Sequence, residues 1–172
     1  MKNFSGKKGV TLAEISIVLA VIAIMSTMVV SFSMACNLWV QQGINRQNTL
    51  SAFDTVKNGI KSFVSDFDDE DHVFFVDGTR LCVRDIHSSD SLPYYIAYSD
   101  GALKGSSPRG SIAYPAENIT AVSFSVVAGS GGNSLIVCTV DYAVPPVNEN
   151  RNPETGSYKV AVAPRVAAAE VL

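Results

Sequence analysis

Glu14 is the residue whose type and position most clearly suggest chemistry. It stands immediately before a stretch, Ile15 to Asn45, that has no charged side chain. A carboxylate beside hydrocarbon is costly unless it has a partner, so ionisable groups at such places are functional candidates. The chemistry open to Glu14 is an ion pair with an amine from a neighbouring chain, which would fix register more than it adds stability. The alternative is that Glu14 only marks the water boundary of a membrane anchor.

A second set of acidic residues lies within 66–71, where a predicted helix ends. Clustered carboxylates are the oxygen ligands that Ca²⁺ prefers, but their spacing here does not match an EF-hand loop. Like charges at a helix C-terminus oppose the helix dipole and favour termination. We therefore predict a solvated turn and no metal site, with calcium as the alternative. The acidic residues are Asp66, Asp68, Asp69, Glu70 and Asp71.

The histidines and cysteines do not form a catalytic pattern. His72 and His87 belong to no His-x-x-x-His, Cys-x-x-Cys or Gly-x-Ser-x-Gly arrangement. The sequence therefore predicts no catalytic residue, no cofactor and no enzyme activity. Cys82 and Cys138 fall in strand-like runs and could form a disulfide in an oxidising compartment. Buried free thiols are the alternative for these two residues.

The long uncharged stretch predicts a membrane-spanning helix. About 20 apolar residues suffice to cross a bilayer as a helix, and this stretch is longer. Lys2, Lys7 and Lys8 precede it, so the positive-inside rule predicts a cytoplasmic N-terminus. A cleaved secretory signal fits poorly, because its apolar core would have only about 7 to 15 residues. A lipoprotein cut at Cys36 fits poorly too, because Ser33 stands where such sites usually carry an aliphatic residue.

The rest of the chain predicts an α+β fold. Apolar residues recur at steps of three and four over 53–67, which places them on one face of a helix. Beyond residue 72 the period falls to two, and turn signals such as Asp77-Gly78 and Ser99-Asp100-Gly101 separate short strands. We predict an antiparallel sheet packed on the second half of one long helix, with polar loops over 105–110 and 145–156. The predicted strands are 73–76, 80–85, 93–98, 102–104, 119–127, 135–142 and 158–163.

The N-terminal junction resembles a known processing motif. Lys7-Lys8-Gly9 is followed by Val10-Thr11-Leu12-Ala13-Glu14 and then by the apolar run, which is similar to the start of the type IV pilin and pseudopilin superfamily. The resemblance implies that a prepilin peptidase cuts between Gly9 and Val10 and that Val10 is then N-methylated. Glu14 matches the acidic residue at the fifth mature position, which implies a role in assembly and register. Many major pilins have Phe where this chain has Val10, whereas other apolar residues occur there in minor pilins and pseudopilins.

The resemblance also implies a division of the chain. Residues 1–9 would be the leader peptide and 10–38 the transmembrane and filament-core helix. Residues 39–67 would be the amphipathic second half of that helix, and 68–172 a globular antiparallel sheet domain. The chain would be a single-pass cytoplasmic membrane protein before assembly and part of an extracytoplasmic filament afterwards. Its partners would be a prepilin peptidase, other pilin or pseudopilin subunits, an inner-membrane assembly platform with its ATPase, and membrane lipid.

The negative charge of the exported part argues against direct binding of nucleic acid. Without Lys2, Lys7 and Lys8 the basic residues fall from 13 to 10 against 16 acidic ones, which leaves a side-chain charge of −6. A basic stripe is the footprint of nucleic-acid binding, so we expect no direct nucleic-acid partner. The first functional hypothesis is a structural subunit, a minor pilin or minor pseudopilin, of a filament for pilus assembly, protein secretion or DNA uptake. The alternative is a membrane-anchored extracytoplasmic binding or adhesive domain that does not polymerise.

Overall fold

The computed structural model describes residues 11–88, 94–128, 134–148 and 150–170. The chain divides into two compact units, Met1–Gln41 and Gln42–Leu172. The described part of the first unit is helical, and the second unit combines the end of that helix with β-strands. The predicted α+β class is therefore confirmed. Gly9 and Val10, the predicted cleavage and methylation site, lie outside the described residues.

Helix α1 (Leu12–Asp66) contains the predicted amphipathic segment. In the second unit Val56, Ile60 and Phe63 are almost completely buried, whereas Asn58 and Lys61 on the opposite face are exposed. The apolar stripe predicted from the three- and four-residue spacing is therefore the face that packs against the sheets. Burying side chains of this size contributes about 1.5–3 kcal/mol each relative to leaving them exposed.

Gly59 brings α1 close to the β-structure. A Cβ atom at this position would lie 2.8 Å from Cδ2 of Tyr114, inside the distance that real contacts allow. Glycine has a low helix propensity, but at this position the packing of the Tyr114 ring against the helix offsets that cost. Gly43 differs, because a Cβ atom there would meet nothing within 4 Å.

Nine strands follow the helix in the described residues, and they form two sheets. The larger sheet has six strands in the order β5-β4-β3-β2-β1-β9, and the smaller has the order β6-β7-β8. Neighbouring strands are antiparallel apart from β1 and β9, which run parallel. The strands are β1 (His72–Asp77), β2 (Arg80–Asp85), β3 (Tyr94–Ser99), β4 (Ala102–Ser107), β5 (Gly110–Pro115), β6 (Ile119–Ala128), β7 (Ser134–Val144), β8 (Glu154–Val162) and β9 (Ala168–Glu170).

The two predicted tight hairpins are confirmed, and their turns explain the residues found there. Gly78 between β1 and β2 has a φ of 59°. Asp100 and Gly101 between β3 and β4 have φ values of 50° and 71°. In the second hairpin, positive φ at both central residues is typical of the turn that favours Asp-Gly, whereas in the first hairpin Gly78 is the central residue that takes positive φ. The register that follows pairs Phe75 with Cys82 in the first hairpin.

One apolar core joins the helix and both sheets. Phe67, Phe74 and Ile96 from the side of the larger sheet are fully buried together with Ile136 and Val140 of β7. A polar contact also joins the sheets, because the Tyr98 hydroxyl donates a hydrogen bond to the carbonyl oxygen of Ile119. Burial raises the pKa of this hydroxyl, so it stays protonated and able to donate at neutral pH.

The sheet arrangement differs from the prediction in the number of sheets, in two additional strands and in the length of two loops. The strands form two sheets rather than one, and β5 and β9 were not predicted. The polar loop predicted over 145–156 ends at Pro153, because β8 already begins at Glu154 and pairs with Val144. The loop predicted over 105–110 is shorter too, since β4 continues to Ser107 and β5 starts at Gly110.

Candidate functional site

Glu14 lies in the first turn of α1, where it forms a capping box with Thr11. The backbone N–H of Thr11 donates to Glu14 Oε2 at 2.8 Å, and the backbone N–H of Glu14 donates to Thr11 Oγ1 at 3.3 Å. The Thr11 hydroxyl also donates to Glu14 Oε2 at 3.2 Å. This reciprocal pattern satisfies two N–H groups that a helix start leaves without partners. The carboxylate is thus held at the N-terminal end of the helix, where the helix dipole favours negative charge.

An exposed apolar surface follows Glu14 along the first unit. Helix α1 contains an 18-residue window with a mean hydropathy of 2.5 and no buried residue, so it is long and apolar enough to cross a membrane. Even large side chains such as Phe32 (72%) and Met28 (65%) are exposed. An apolar surface of this extent in water is unusual for a soluble monomer, so it requires lipid or a partner helix.

The predicted acidic turn is a set of separate pairs. Asp66 accepts from Arg109 at 3.0 Å, Asp69 contacts His72 Nδ1 at 2.5 Å, and Asp71 contacts His87 Nε2 at 3.2 Å. Among the described residues, no group of three or more His, Cys, Asp and Glu side chains is placed to hold a metal ion. Both histidines therefore have a carboxylate neighbour in the acidic turn.

Asp68 has a role that the sequence analysis did not identify. Its carboxylate accepts hydrogen bonds from the backbone N–H groups of Arg165, Val166 and Ala167 at 2.9–3.1 Å. These residues lead directly into β9, the parallel edge strand of the larger sheet. Burial by itself would raise the pKa of Asp68, but the three N–H donors and the charge of Arg165 lower it below the usual value.

Asp68→Asn is expected to lower the free energy of unfolding by about 1–2 kcal/mol at pH 7, because charged acceptors make the stronger hydrogen bonds. A lowered native pKa means that this stability is present above the unfolded-state pKa of about 3.9 and is lost as the pH falls through the native value. Urea unfolding of the full chain in detergent at pH 7 and near pH 3 measures both effects. Glu70→Gln, which removes an exposed carboxylate from the same turn, is the control. An equal loss in both variants would contradict the assigned role.

A pocket of about 200 Å³ is lined by the aromatic residues Tyr142 and Tyr158 together with Arg46 and Glu154. Tyr142 and Tyr158 stack with centroids 5.2 Å apart, and Arg46 pairs with Glu154 at 2.7 Å across the same pocket. A Cβ atom at Gly156 would lie 2.3 Å from the Tyr142 hydroxyl oxygen, so glycine makes room for that ring. Burial, the Tyr158 hydroxyl and the charge of Glu154 raise the pKa of Tyr142. Aromatic rings and charged side chains of this kind can bind a ligand, but the charges of Arg46 and Glu154 already neutralise each other.

Cys82 and Cys138 are free thiols in the structure. Cys138 belongs to the core cluster and faces the interior from β7. Cys82 lies between Leu81 and Val83, which both face that core, so the alternation of β2 turns it to the outer surface of the larger sheet. There it is covered by its cross-strand neighbours Phe75 and Tyr95. The two thiols face opposite sides of their sheets and are not bridged, so of the two alternatives the structure has the buried free thiols.

Burial makes both thiols unreactive near neutral pH. Burial raises the pKa of Cys138 to about 12, and burial together with the charge of Asp77 raises the pKa of Cys82. The thiolate is the reactive form of cysteine. These two residues therefore act as small apolar side chains rather than as nucleophiles.

Comparison of the chain with protein-family models, curated proteins and solved structures found no match.

Proposed function

We propose that the chain is a structural subunit, a minor pilin or minor pseudopilin, of a type IV pilus-like filament. The observation that supports this most is a carboxylate fixed at the start of an exposed apolar helix. Glu14 is held within the first turn by Thr11, and the 18-residue apolar window of α1 contains no buried residue. A membrane anchor needs the apolar surface, and the capping box needs a hydrogen-bond acceptor at residue 14 that glutamine could also supply. An assembly contact is what would give the negative charge of Glu14 a use.

The proposed mechanism is mechanical. A prepilin peptidase cuts between Gly9 and Val10, and Val10 becomes the N-methylated first residue with a charged amine. An inner-membrane platform and its ATPase then move the subunit from the lipid into the filament. There the amine of one subunit meets Glu14 of a neighbour, and the apolar surface of α1 exchanges lipid for other helices. The function is pilus assembly, protein secretion or DNA uptake, with the second unit on the outside of the filament.

Processing at this site is the first test of the proposal. We expect mass spectrometry of the exported protein to give an N-terminal peptide that starts at N-methylated Val10. Gly9→Leu, which places a bulky side chain at the cut, should leave the leader attached and keep the chain out of filaments. An intact Met1-to-Gly9 segment in exported wild-type protein would instead support the membrane-anchored binding domain that does not polymerise.

A further inference from the structure

The apolar part of α1 is longer than a bilayer requires. Residues 15–41 rise about 40 Å at 1.5 Å per residue, whereas the hydrocarbon core is about 30 Å thick. Only about 20 of these residues can lie in hydrocarbon at once. The depth of the helix must therefore be set by the chemical character of the side chains at its two ends.

The segment before Met34 suits hydrocarbon well. Apart from Glu14, its polar side chains are all hydroxyls. Four of them donate to carbonyl oxygens of the same helix at 2.7–3.0 Å, which removes most of the cost of placing them in lipid. These four residues are Ser16, Ser26, Thr27 and Ser31.

The segment after Met34 suits the polar layer of the membrane better. Asn37 and Gln41 carry amides, and an amide left without a partner in an apolar medium costs roughly 2–7 kcal/mol. Trp39 lies between them, is the only tryptophan of the chain, and is 79% exposed. Tryptophan prefers the headgroup layer, because its ring is apolar and its N–H needs a hydrogen-bond acceptor.

The spacing between the two ends fits this layer. With Ile15 at the inner edge of the hydrocarbon, Trp39 lies about 36 Å further along the helix. That distance is beyond the hydrocarbon core of about 30 Å and within the headgroup layer that follows it. The opposite placement, with the hydrocarbon ending near Gln41, would bury both amides and move Glu14 away from the membrane.

We propose that Trp39 binds in the outer headgroup layer of a phospholipid bilayer and, with Glu14 at the inner boundary, fixes the depth of α1 before assembly. The inference depends on the proposed function in one point only, namely that the subunit is inserted in the membrane before it is extracted into the filament. Lipid phosphate and ester oxygens are the acceptors that the indole N–H would meet. The partner is therefore the interfacial region of the lipid, whatever the identity of the headgroup.

The native tryptophan allows a direct test in the full-length protein. The chain is reconstituted in vesicles of phosphatidylcholine and phosphatidylglycerol that contain lipids brominated near the headgroup, at mid-chain or near the terminal methyl group. Because bromine quenches indole fluorescence at short range, we expect the headgroup-proximal bromines to quench Trp39 at least about twice as strongly as the terminal ones. The direction of this difference follows from the layer positions given above.

A second variant calibrates depth in the same helix. Trp39→Phe combined with Met25→Trp moves the single indole to a position about 15 Å from Ile15, near the middle of the hydrocarbon. Met25 is exposed, at 61%, so the new ring requires no repacking within the chain. We expect this variant to be quenched most by the bromines near the terminal methyl group.

The possible outcomes separate the inference from the proposed function. Two results would overturn the proposed position of Trp39 and leave the membrane span intact. In the first, the deep bromines quench Trp39 most. In the second, only aqueous iodide quenches Trp39, while lipid bromines quench the Met25→Trp variant. If lipid bromines quench neither indole, α1 is outside the bilayer. This result would overturn both the proposed position of Trp39 and the membrane step of the proposed function. Filament incorporation and processing at Val10 are measured independently of all these results.

Discussion

Glu14→Gln is expected to reduce the fraction of the chain found in filaments to less than about one tenth of the wild-type level. Glutamine can accept the Thr11 N–H bond that Glu14 Oε2 accepts at 2.8 Å, so the capping box persists and only the charge is lost. Removing one partner of a buried ion pair costs about 3–5 kcal/mol, because the other charge remains without compensation. At about 1.4 kcal/mol for each factor of ten, such a loss is sufficient to prevent assembly.

Two companion variants separate the charge of Glu14 from its role as a cap. Glu14→Ala removes the charge and the cap together, so its incorporation into filaments should fall as far as that of Glu14→Gln. Thr11→Ala removes the hydroxyl contacts at 3.2 and 3.3 Å and keeps the carboxylate. It should therefore cost about 1 kcal/mol of helix stability and still assemble. Immunoblots of sheared filaments and of total membranes measure the incorporated fraction. Normal assembly of Glu14→Gln with failure of Glu14→Ala would show that Glu14 is only a cap.

The local rules of the sequence predicted the helix and the tight hairpins. Val56, Ile60 and Phe63 share one face at helical spacing, and all are buried as that spacing requires. Gly78 and the Asp100-Gly101 pair occupy positive φ values, which few other residues adopt at low cost. In these regions the determining interactions lie within a few residues of one another, so the sequence pattern carries the information.

Strands β5 and β9 were missed for different reasons, since long-range contacts determine β9 whereas β5 forms a hairpin with the neighbouring β4. β9 has only three residues, and Asp68 holds the backbone that leads into it from about one hundred positions away along the chain. β5 has only six residues, and of these only Ile112 and Tyr114 pack against the core. Neither strand has the run of β-branched residues that predicts a strand by itself.

The candidate site was identified in part. The position of Glu14 before the apolar run predicted a role for its charge. The capping box was not predicted, although the Thr-x-x-Glu pattern that signals it is present in the same residues. The orientation of Cys82 and Cys138 was not predictable, because it depends on which face of each sheet meets the core. The alternation in β2 and β7 limits each residue to one face, but only the packing of the sheets decides which face is inside.

Gly105→Ala is expected to destabilise the second unit by at least about 3 kcal/mol. A Cβ atom at Gly105 in β4 would lie 2.2 Å from the carbonyl oxygen of Tyr95 and 3.0 Å from Cα of Ile96. Both atoms belong to the backbone of β3, so no side-chain rotation can relieve the clash and the two strands must separate. Overpacking of this kind costs about 1–3 kcal/mol where side chains can adjust, and the cost should be higher here.

Gly43→Ala is the matched control for this prediction, because a Cβ atom at Gly43 would meet nothing within 4 Å. Replacing a helical glycine by alanine should stabilise α1 by up to about 1 kcal/mol. All six tyrosines lie in the second unit, so the tyrosine bands of the near-ultraviolet circular dichroism spectrum follow that unit in a urea titration. We expect a lower urea midpoint for Gly105→Ala and an unchanged or higher one for Gly43→Ala. A wild-type midpoint for Gly105→Ala would mean that β3 and β4 do not pair in the register that places Gly105 opposite Ile96.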